Sequence, residues 1–266
     1  MTIQDDARGS SETTAAELMR LHEDPTLLTV VNVWDSISAK VVADTPGTAA
    51  LATASHSIAA SRGYEDGENI PVEEMLEEVR RIVAATALPV TADLEAGYGD
   101  AAETVRRAIG VGVVGANIED QMKPLDEAVR VVESVVEAAQ REGLRDFVLN
   151  ARTDAFLKGK DRDQGEVLAD AVERGKAFLE AGAPVVFVPG VRDESIIASL
   201  AEAFGPQKLT LIGAPGTPPL SRLEELGVAR VSYGPMSQRV ALTALQELVE
   251  DVLGGGGVPS TMRPLN

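Results

Sequence analysis

The sequence contains no cysteine. Disulfide bonds, thiolate metal sites and a cysteine nucleophile are therefore excluded. This composition is compatible with the reducing cytoplasm, where we expect the protein to reside. Aromatic residues are also scarce, at 3% of the chain, so the core must be built from Ala, Val, Leu and Ile. Such small and branched side chains suit closely packed layers of parallel strands and helices.

Basic residues are few, with 24 Lys and Arg against 42 Asp and Glu and a net charge of −18. Nucleic acid is not an expected partner, because phosphate binding needs a basic surface. No apolar run approaches the roughly 20 residues that a membrane span requires, so no membrane partner is expected. An acidic protein also repels anionic substrates. A small carboxylate substrate would therefore need a local arginine or a metal ion.

The chain length of 266 residues is close to the roughly 250 residues of one (β/α)₈ domain. Residues 1–12 are polar and acidic without the apolar segment of a signal peptide, and residues 254–266 begin with four glycines. We predict flexible tails at 1–12 and 254–266, and one domain at 13–253.

Apolar strand-like runs alternate with helical patterns between these tails. The predicted strands are Leu28–Trp34, Ala49–Ser55, Pro89–Leu94, Gly115–Glu119, Phe147–Arg152, Pro184–Val188, Leu209–Ile212 and Ala229–Tyr233. The predicted helices include Val72–Ala85, Ala101–Gly110, Leu125–Arg141, Glu166–Glu180, Asp193–Phe204, Leu220–Leu226 and Gln238–Leu253. Strict alternation implies parallel strands joined by right-handed crossovers. Eight such units predict an α/β fold, a (β/α)₈ TIM-type barrel.

The alternative is an open, doubly wound parallel sheet that binds a dinucleotide. The glycines of GVGVVGAN at 110–117 superficially suit that fold. They precede a predicted strand instead of opening a helix, so the dinucleotide-binding interpretation fails on its context.

Polar residues concentrate at the carboxyl ends of the first five strands, where such barrels place their active sites. Asp93 and Glu95 are two residues apart, so on an extended strand they face the same side, and Glu119 ends the next strand. Carboxylates that point into a barrel need a partner, and a hard divalent cation accepts such oxygen ligands. We predict a metal site at these three residues. The alternative is a structural network in which Asp93 and Glu95 pair with Arg152.

Arg152 is the best candidate for binding a substrate carboxylate, because a planar guanidinium holds such groups bidentately. Its alternative role is a structural partner of Asp154 or Asp93. Of the two histidines, His56 is either a general acid or base or a plain loop residue, and His22 is expected to be exposed on an N-terminal helix.

Seven segments together resemble the isocitrate lyase/phosphoenolpyruvate mutase superfamily. They are NVWDSISAK (32–40), SRGYEDGE (61–68), PVTADLEAGYGD (89–100), GANIEDQ (115–121), LNARTDAFL (149–157), AFLEAGAPVVFVPG (177–190) and LEELGVARVSYG (223–234). The resemblance implies Mg²⁺, or Mn²⁺ in its place, held by Asp93, Glu95 and Glu119, with Asp66 nearby and some contacts through water. It implies Asp66, Tyr98 and Arg152 as catalytic residues.

The resemblance also implies the residues that bind a small carboxylate substrate. These are Trp34, Asp35, Ala54, Ser55, Asn150 and Arg152, with backbone N–H groups contributed by Ala54 and Ser55. It further implies cleavage of a C–C or P–C bond next to a carbonyl, through an enolate that the metal stabilises. A homotetramer that exchanges the C-terminal helix between subunits is implied as well.

Two departures from the superfamily pattern argue against its best-known activities. The cysteine loop of isocitrate and methylisocitrate lyases is missing, and after Glu119 the chain runs through 120–124 directly into a helix. The asparagine that phosphoenolpyruvate mutases use in that loop is missing too. We expect a Mg²⁺-dependent lyase of a small 2-oxo or 2-hydroxy acid, such as an oxaloacetate decarboxylase. The alternatives are a ketopantoate hydroxymethyltransferase-like aldol enzyme and a non-catalytic, carboxylate-binding paralogue.

Overall fold

The computed structural model describes the backbone of residues 3–265 and the side chains of residues 11–265. The strands are β1 (Leu28–Val30), β2 (Asn32–Val33), β3 (Leu51–Thr53), β4 (Val90–Asp93), β5 (Gly115–Glu119), β6 (Val148–Arg152), β7 (Val185–Phe187), β8 (Leu209–Ile212) and β9 (Val228–Ser232). The helices are α1 (Ile3–Glu23), α2 (Ser36–Ala43), α3 (Ser55–Ser61), α4 (Val72–Ala84), α5 (Ala101–Gly110), α6 (Leu125–Arg141), α7 (Ala155–Lys158), α8 (Gln164–Glu180), α9 (Glu194–Phe204), α10 (Leu220–Glu225) and α11 (Met236–Leu253).

All strands in the described chain belong to one parallel sheet, and its two ends are β1 and β2. These two strands are the halves of the single predicted strand Leu28–Trp34, which is interrupted at Val31. The first half pairs with β9 and the second with β3, so one stretch of chain joins both edges of the sheet. The α/β TIM-type barrel predicted from the sequence is confirmed, with nine strand segments in eight strand positions.

The barrel interior contains a row of hydrogen-bonded polar side chains below the strand ends. The strand register places Asn117 of β5 opposite Asn150 of β6. Asn150 Nδ2 donates to Asn117 Oδ1 at 2.7 Å, and Thr210 Oγ1 donates to Asn150 Oδ1 at 2.6 Å. Asn150 is fully buried, and its amide donates to one of these neighbours and accepts from the other. These contacts tie β5, β6 and β8 together, and the substrate-binding role that the resemblance implies for Asn150 stays a prediction.

The N-terminal helix differs from the sequence prediction in two ways. Residues 1–12 were expected to form a loose tail, yet the backbone is helical from Ile3 onwards. His22 was expected to be exposed, but it is 1% exposed. Leu18 and His22 lie one turn apart on α1. Leu18 packs closely on Gly115, because a Cβ atom at position 115 would lie only 2.9 Å from Leu18 Cδ2. The helix is therefore docked on the barrel through one buried stripe, which holds His22 away from solvent.

The buried histidine predicts an acid-sensitive fold. Burial, together with the nearby charge of Arg230, lowers the pKa of His22 from 6.5 to about 3. This low pKa keeps the folded ring neutral, and its Nδ1–H donates to the Leu18 carbonyl, 2.8 Å away. An unfolded chain binds the proton already below about pH 6.5. The stability from the neutral ring is therefore complete above pH 6.5 and is lost as the pH falls towards 3.

Urea denaturation of the parent and of His22→Asn at several pH values measures this effect. Asparagine retains a donor for the Leu18 carbonyl and does not titrate. Between pH 6 and 4, the parent's free energy of unfolding should fall about 1.4 kcal/mol per pH unit more steeply than the variant's. Parallel curves for the two proteins would show that His22 does not gain a proton on unfolding.

The last helix, α11, extends from the barrel and exposes much of its apolar surface. Its exposed apolar residues are Val240, Leu242, Leu245, Val249, Val252 and Leu253. Residues 254–265 follow it without a helix or strand. Neither α11 nor any other helix in the described part of the chain combines the length and apolar character needed to cross a membrane.

Candidate active site

A cavity of about 270 Å³ opens at the carboxyl ends of the strands. Among the predicted site residues, Ala54, Ser55, Asp66, Asp93 and Arg152 line it, whereas the predicted metal ligands Glu95 and Glu119 are not among the described residues that do. This is the end of a TIM-type barrel at which active sites are found. The volume lies near the lower limit of ordinary ligand pockets, which suits a small acid and not a large cofactor.

Asp93 ends β4 and is fixed by Thr53 of the neighbouring strand β3 and by Ser55, the first residue of α3. Its Oδ2 atom accepts hydrogen bonds from Ser55 N at 3.2 Å and from Ser55 Oγ at 2.8 Å. Its backbone N–H donates to Thr53 Oγ1 at 2.9 Å. The backbone N–H of Ala54 donates to Val33 O. The two N–H groups predicted to bind a substrate carboxylate, those of Ala54 and Ser55, therefore both have protein acceptors in this structure.

Glu95 lies just beyond β4, in a tight turn that the sequence prediction treated as strand. Its φ angle is +53°, so strand alternation no longer fixes its direction. Glu95 Oε1 accepts from the Tyr98 hydroxyl at 2.8 Å, and Oε2 accepts from Glu68 N at 2.5 Å. Gly97 allows this turn, because a Cβ atom there would lie 2.4 Å from Ala101.

These contacts give Tyr98 a different position from the one predicted. Its hydroxyl orients Glu95, its backbone N–H donates to Glu68 Oε1 at 2.6 Å, and it is not among the described residues that line the cavity. Burial raises the pKa of Glu95, and the negative charges of Asp66 and Asp93 add to the rise. The hydrogen bonds to Glu95 therefore hold in place a carboxylate that burial and its acidic neighbours disfavour.

Glu119 and Arg152 face each other across the β5–β6 register. Arg152 Nη1 lies 2.7 Å from Glu119 Oε2, and Arg152 Nη2 lies 2.8 Å from Asp154 Oδ1. The structural pairing of Arg152 with Asp154 is therefore present, whereas no ion pair with Asp93 or Glu95 is found in the described chain. Burial raises the pKa of Glu119 to about 7 despite Arg152, with Asp154, Asp93 and Glu95 raising it further.

The carboxylates near the cavity are more numerous than their cationic partners. Within the described residues, no three acids or histidines already converge as a metal site. Each predicted ligand instead has its own protein donor, in Ser55, Tyr98 or Arg152. Burial is the main cause of the raised pKa values of Glu95 and Glu119, and the charges of neighbouring acids, Asp93 among them, add to the rise. Mg²⁺ retains several waters and needs only a few carboxylates, so this donor set fits a hydrated divalent cation.

Two other predicted substrate-binding residues lie outside the cavity. Trp34 and Asp35 are absent from the described residues that line it. Asp35 caps α2 instead, where its Oδ1 accepts from Ser38 N at 2.7 Å and Ser38 Oγ accepts from Asp35 N at 3.1 Å. Trp34 is half-buried against the core. The D-x-x-S spacing in the sequence is typical of a capping box and indicates a structural role for Asp35.

The loop after β5 is as short as the sequence predicted, and a residue that we had not singled out anchors it. Asp120 Oδ1 accepts from Met122 N at 2.9 Å and from Asp154 N at 3.0 Å. Its other oxygen lies 3.2 Å from Arg174 Nη1. Because α6 begins at Leu125, no long segment remains here to cover the cavity.

A second missed residue is Arg192, which lines the cavity from the loop between β7 and α9. No motif marked it in the sequence. His56 also lines the cavity, and its Nδ1 atom is buried with no hydrogen-bond partner in the structure. Its role, catalytic or not, stays a prediction.

Comparisons with known proteins show the family to which the chain belongs. The family model for phosphoenolpyruvate phosphomutase matches residues 18–253. The chain is 29% identical over 252 residues to 2,3-dimethylmalate lyase of Eubacterium barkeri, covering 88% of this chain and 84% of that protein. It is 29% identical over 220 residues to 2-methylisocitrate lyase of Escherichia coli (strain K12), covering 77% and 72%.

A solved structure of oxaloacetate acetylhydrolase, in complex with its product oxalate, has a similar fold. Its TM-score is 0.84 at 26% identity, and the match covers 95% of this chain and 91% of that one. The family match spans most of the sequence, including every strand of the barrel and the acidic segments at the strand ends. The chain therefore belongs to the phosphoenolpyruvate phosphomutase family of the isocitrate lyase/phosphoenolpyruvate mutase superfamily.

Proposed function

We propose that this protein is a Mg²⁺-dependent lyase that cleaves a bond next to the carbonyl or hydroxyl carbon of a small 2-oxo or 2-hydroxy acid. The observation that carries the proposal is that Asp93 and Arg152 line one small cavity, and that Asp93 lies close enough to Glu95 and Glu119 to raise the pKa of both. The lyase names of its relatives, which include 2,3-dimethylmalate lyase and 2-methylisocitrate lyase, support the same class of reaction.

The chain's own residues have distinct tasks in this proposal. Asp93, Glu95 and Glu119 would hold the cation, directly or through its waters. When bound, Mg²⁺ supplies Lewis-acid stabilisation of the negative charge that develops on the substrate oxygen. Ser55 and Tyr98 orient Asp93 and Glu95, so the carboxylates are pre-positioned. Preorganised charge of this kind lowers the barrier without reorganisation during the reaction.

Arg152 would bind the substrate carboxylate from the β6 side of the cavity. Its guanidinium forms ion pairs with both Glu119 and Asp154, so a substrate anion has to compete with these two acids. A cation bound near Glu119 would weaken that competition, because it neutralises one of Arg152's partners. Metal and carboxylate binding are therefore expected to be cooperative.

A turnover screen tests this function. Purified protein is incubated with small 2-oxo and 2-hydroxy acids, oxaloacetate included, in Mg²⁺ or in EDTA, and products are identified by NMR. We expect turnover of at least one acid in Mg²⁺ and none in EDTA. Turnover that is equal in EDTA would overturn the metal-dependent part of the proposal.

The second candidate is a non-catalytic, carboxylate-binding paralogue, which the short 120–124 loop favours. A thermal-shift measurement separates it from the lyase in combination with the screen. Joint stabilisation by Mg²⁺ and oxalate without turnover of any acid would indicate the paralogue. Turnover would exclude it.

We also propose that the protein is a homo-oligomer assembled through α11, as the superfamily resemblance implies. The helix leaves Leu242, Leu245 and Val249 about half exposed. Apolar residues at this spacing lie along one side of a helix. A second copy of the chain is the occupant that the proposal assigns to this surface.

The assembly predicts a large change in mass on substitution. Leu242→Glu combined with Leu245→Glu and Val249→Glu should convert the oligomer to a monomer in sedimentation equilibrium, because buried charges are unfavourable at an apolar interface. Thr243→Glu is the control and should remain oligomeric, because residue 243 is exposed and lies on a different side of the helix from Leu242, Leu245 and Val249. A parent protein that sediments as a monomer would refute the assembly.

A further inference from the structure

One histidine reaches the cavity from the first turn of α3. His56 is the second residue of that helix, is half-buried, and lines the cavity together with Ser55. Its Nδ1 atom is buried and has no hydrogen-bond partner in the described part of the chain. Because Nδ1 is the buried ring nitrogen, the ring meets the cavity through the edge that carries Nε2. An imidazole nitrogen is therefore presented to a ligand in the cavity.

The backbone on both sides of His56 is fixed by hydrogen bonds to distant parts of the chain. Ser55 N and Oγ donate to Asp93 Oδ2, at 3.2 and 2.8 Å. The carbonyl of Ser57 accepts from Gln238 Nε2 of α11 at 2.9 Å. His56 is thus held beside the carboxylate that we propose binds the cation. A reacting group that is positioned before the substrate binds loses little further freedom in reaching its reactive geometry.

Enolate chemistry in this cavity needs a group that moves a proton to and from carbon. The chain has no cysteine, and the loop at 120–124 contributes no residue to the described lining. Asp93 and Asp66 are the carboxylates of that lining. The proposed function assigns Asp93 to the cation, and Asp66 lies close enough to Glu95 to raise its pKa, so both belong to the acidic group. The imidazole of His56 is the remaining side chain of the described lining that suits proton transfer near neutral pH.

We infer that His56 is the residue that transfers a proton to and from C3 of a small 2-oxo acid. The inference rests on the proposed function, because it requires an enolate to form in the cavity. With pyruvate, Nε2 of the neutral ring takes a proton from C3. The electron pair of the broken C3–H bond forms the C2=C3 double bond, and the carbonyl pair moves onto the oxygen. The reverse transfer returns a proton to C3 and leaves the ring neutral. In D₂O the proton held at Nε2 exchanges with solvent, so C3 gains deuterium with solvent as the only other reactant.

Hydrogen exchange at C3 tests this inference on the full chain. Pyruvate is incubated in D₂O with Mg²⁺ and protein, and loss of the methyl proton signal is followed by NMR against a sample without protein. The parent should exchange C3, and His56→Gln should exchange it at least about 100-fold more slowly, as expected for the loss of a general acid–base group. Calorimetry should show that both proteins bind oxalate with Mg²⁺ within about threefold of each other, because glutamine keeps a polar side chain of similar size.

Rescue by imidazole separates proton transfer from a structural role. His56→Ala removes the ring, so free imidazole in solution should restore exchange to this variant and leave the parent's rate unchanged. His22→Asn removes the histidine that lies outside the cavity and should exchange C3 like the parent.

Three results would overturn the inference and leave the proposed function intact. They are exchange by His56→Gln at the parent's rate, a loss of exchange that imidazole does not restore to His56→Ala, and no exchange in a parent that turns over an acid in the screen. A parent that neither exchanges C3 nor turns over any acid would overturn both the inference and the proposed function.

Discussion

Replacing Asp93 by alanine is expected to abolish measurable Mg²⁺ binding and to reduce turnover by about 10²- to 10³-fold. Asp93 is the acid that the structure fixes most directly at the cavity, through two hydrogen bonds from Ser55. It also lies close enough to Glu95 and Glu119 to raise the pKa of both. Without Asp93, the remaining carboxylates are held by Tyr98 and Arg152 and offer the cation fewer oxygen ligands.

Calorimetric titration with Mg²⁺ measures the loss, and steady-state kinetics measure the turnover. Asp146→Ala removes the same charge at an exposed position away from the cavity and is the matched control. It should bind the cation like the parent. If Asp93→Ala retains the parent's affinity for Mg²⁺, the cation does not bind at this cluster.

Replacing Arg152 by methionine is expected to have two separate effects. It should lower kcat/KM by about 10²- to 10³-fold, because the substrate loses its bidentate partner. It should also reduce the free energy of unfolding by about 3–5 kcal/mol without metal, because removing one member of a largely buried ion pair leaves Glu119 and Asp154 uncompensated. Both acids lie within 2.8 Å of the guanidinium in the folded protein.

Metal ions separate these two effects. Mg²⁺ should stabilise Arg152→Met more than it stabilises the parent, because the cation offsets the unpaired charge of Glu119. Urea denaturation with and without Mg²⁺ gives the comparison. Arg162→Met is the control, since Arg162 pairs with Asp170 on the surface and its loss should change stability by less than about 1 kcal/mol. Equal Mg²⁺ stabilisation of Arg152→Met and the parent would show that Arg152 and the cation do not share Glu119.

The barrel and its acidic end were predictable because they depend on patterns along the chain. Strand alternation identified Asp93 as an inward-facing residue at the end of a strand. It did not extend to Glu95, because β4 ends at Asp93 and a residue with positive φ follows. The hydrogen bonds from Glu68 and Tyr98 then set its direction, and those residues come together only in the folded turn.

Other positions depend on long-range packing that one sequence does not encode locally. His22 is buried because α1 docks on the barrel, and Asn150 accepts a hydrogen bond from Thr210, which is 60 residues away in the chain. Arg192 carries no motif, and only the folded structure places it in the lining of the cavity. Asp35, by contrast, was misassigned although its capping box was visible in the sequence.

The central claim is that the carboxylates at the ends of β4 and β5 hold a divalent cation. The most direct test is a crystal grown with Mn²⁺ and oxalate, with anomalous diffraction recorded at the manganese absorption edge. We predict one strong anomalous peak beside Asp93, within reach of Glu95 and Glu119 directly or through water. A map with no peak at this cluster, in a crystal that contains bound oxalate, would contradict the account.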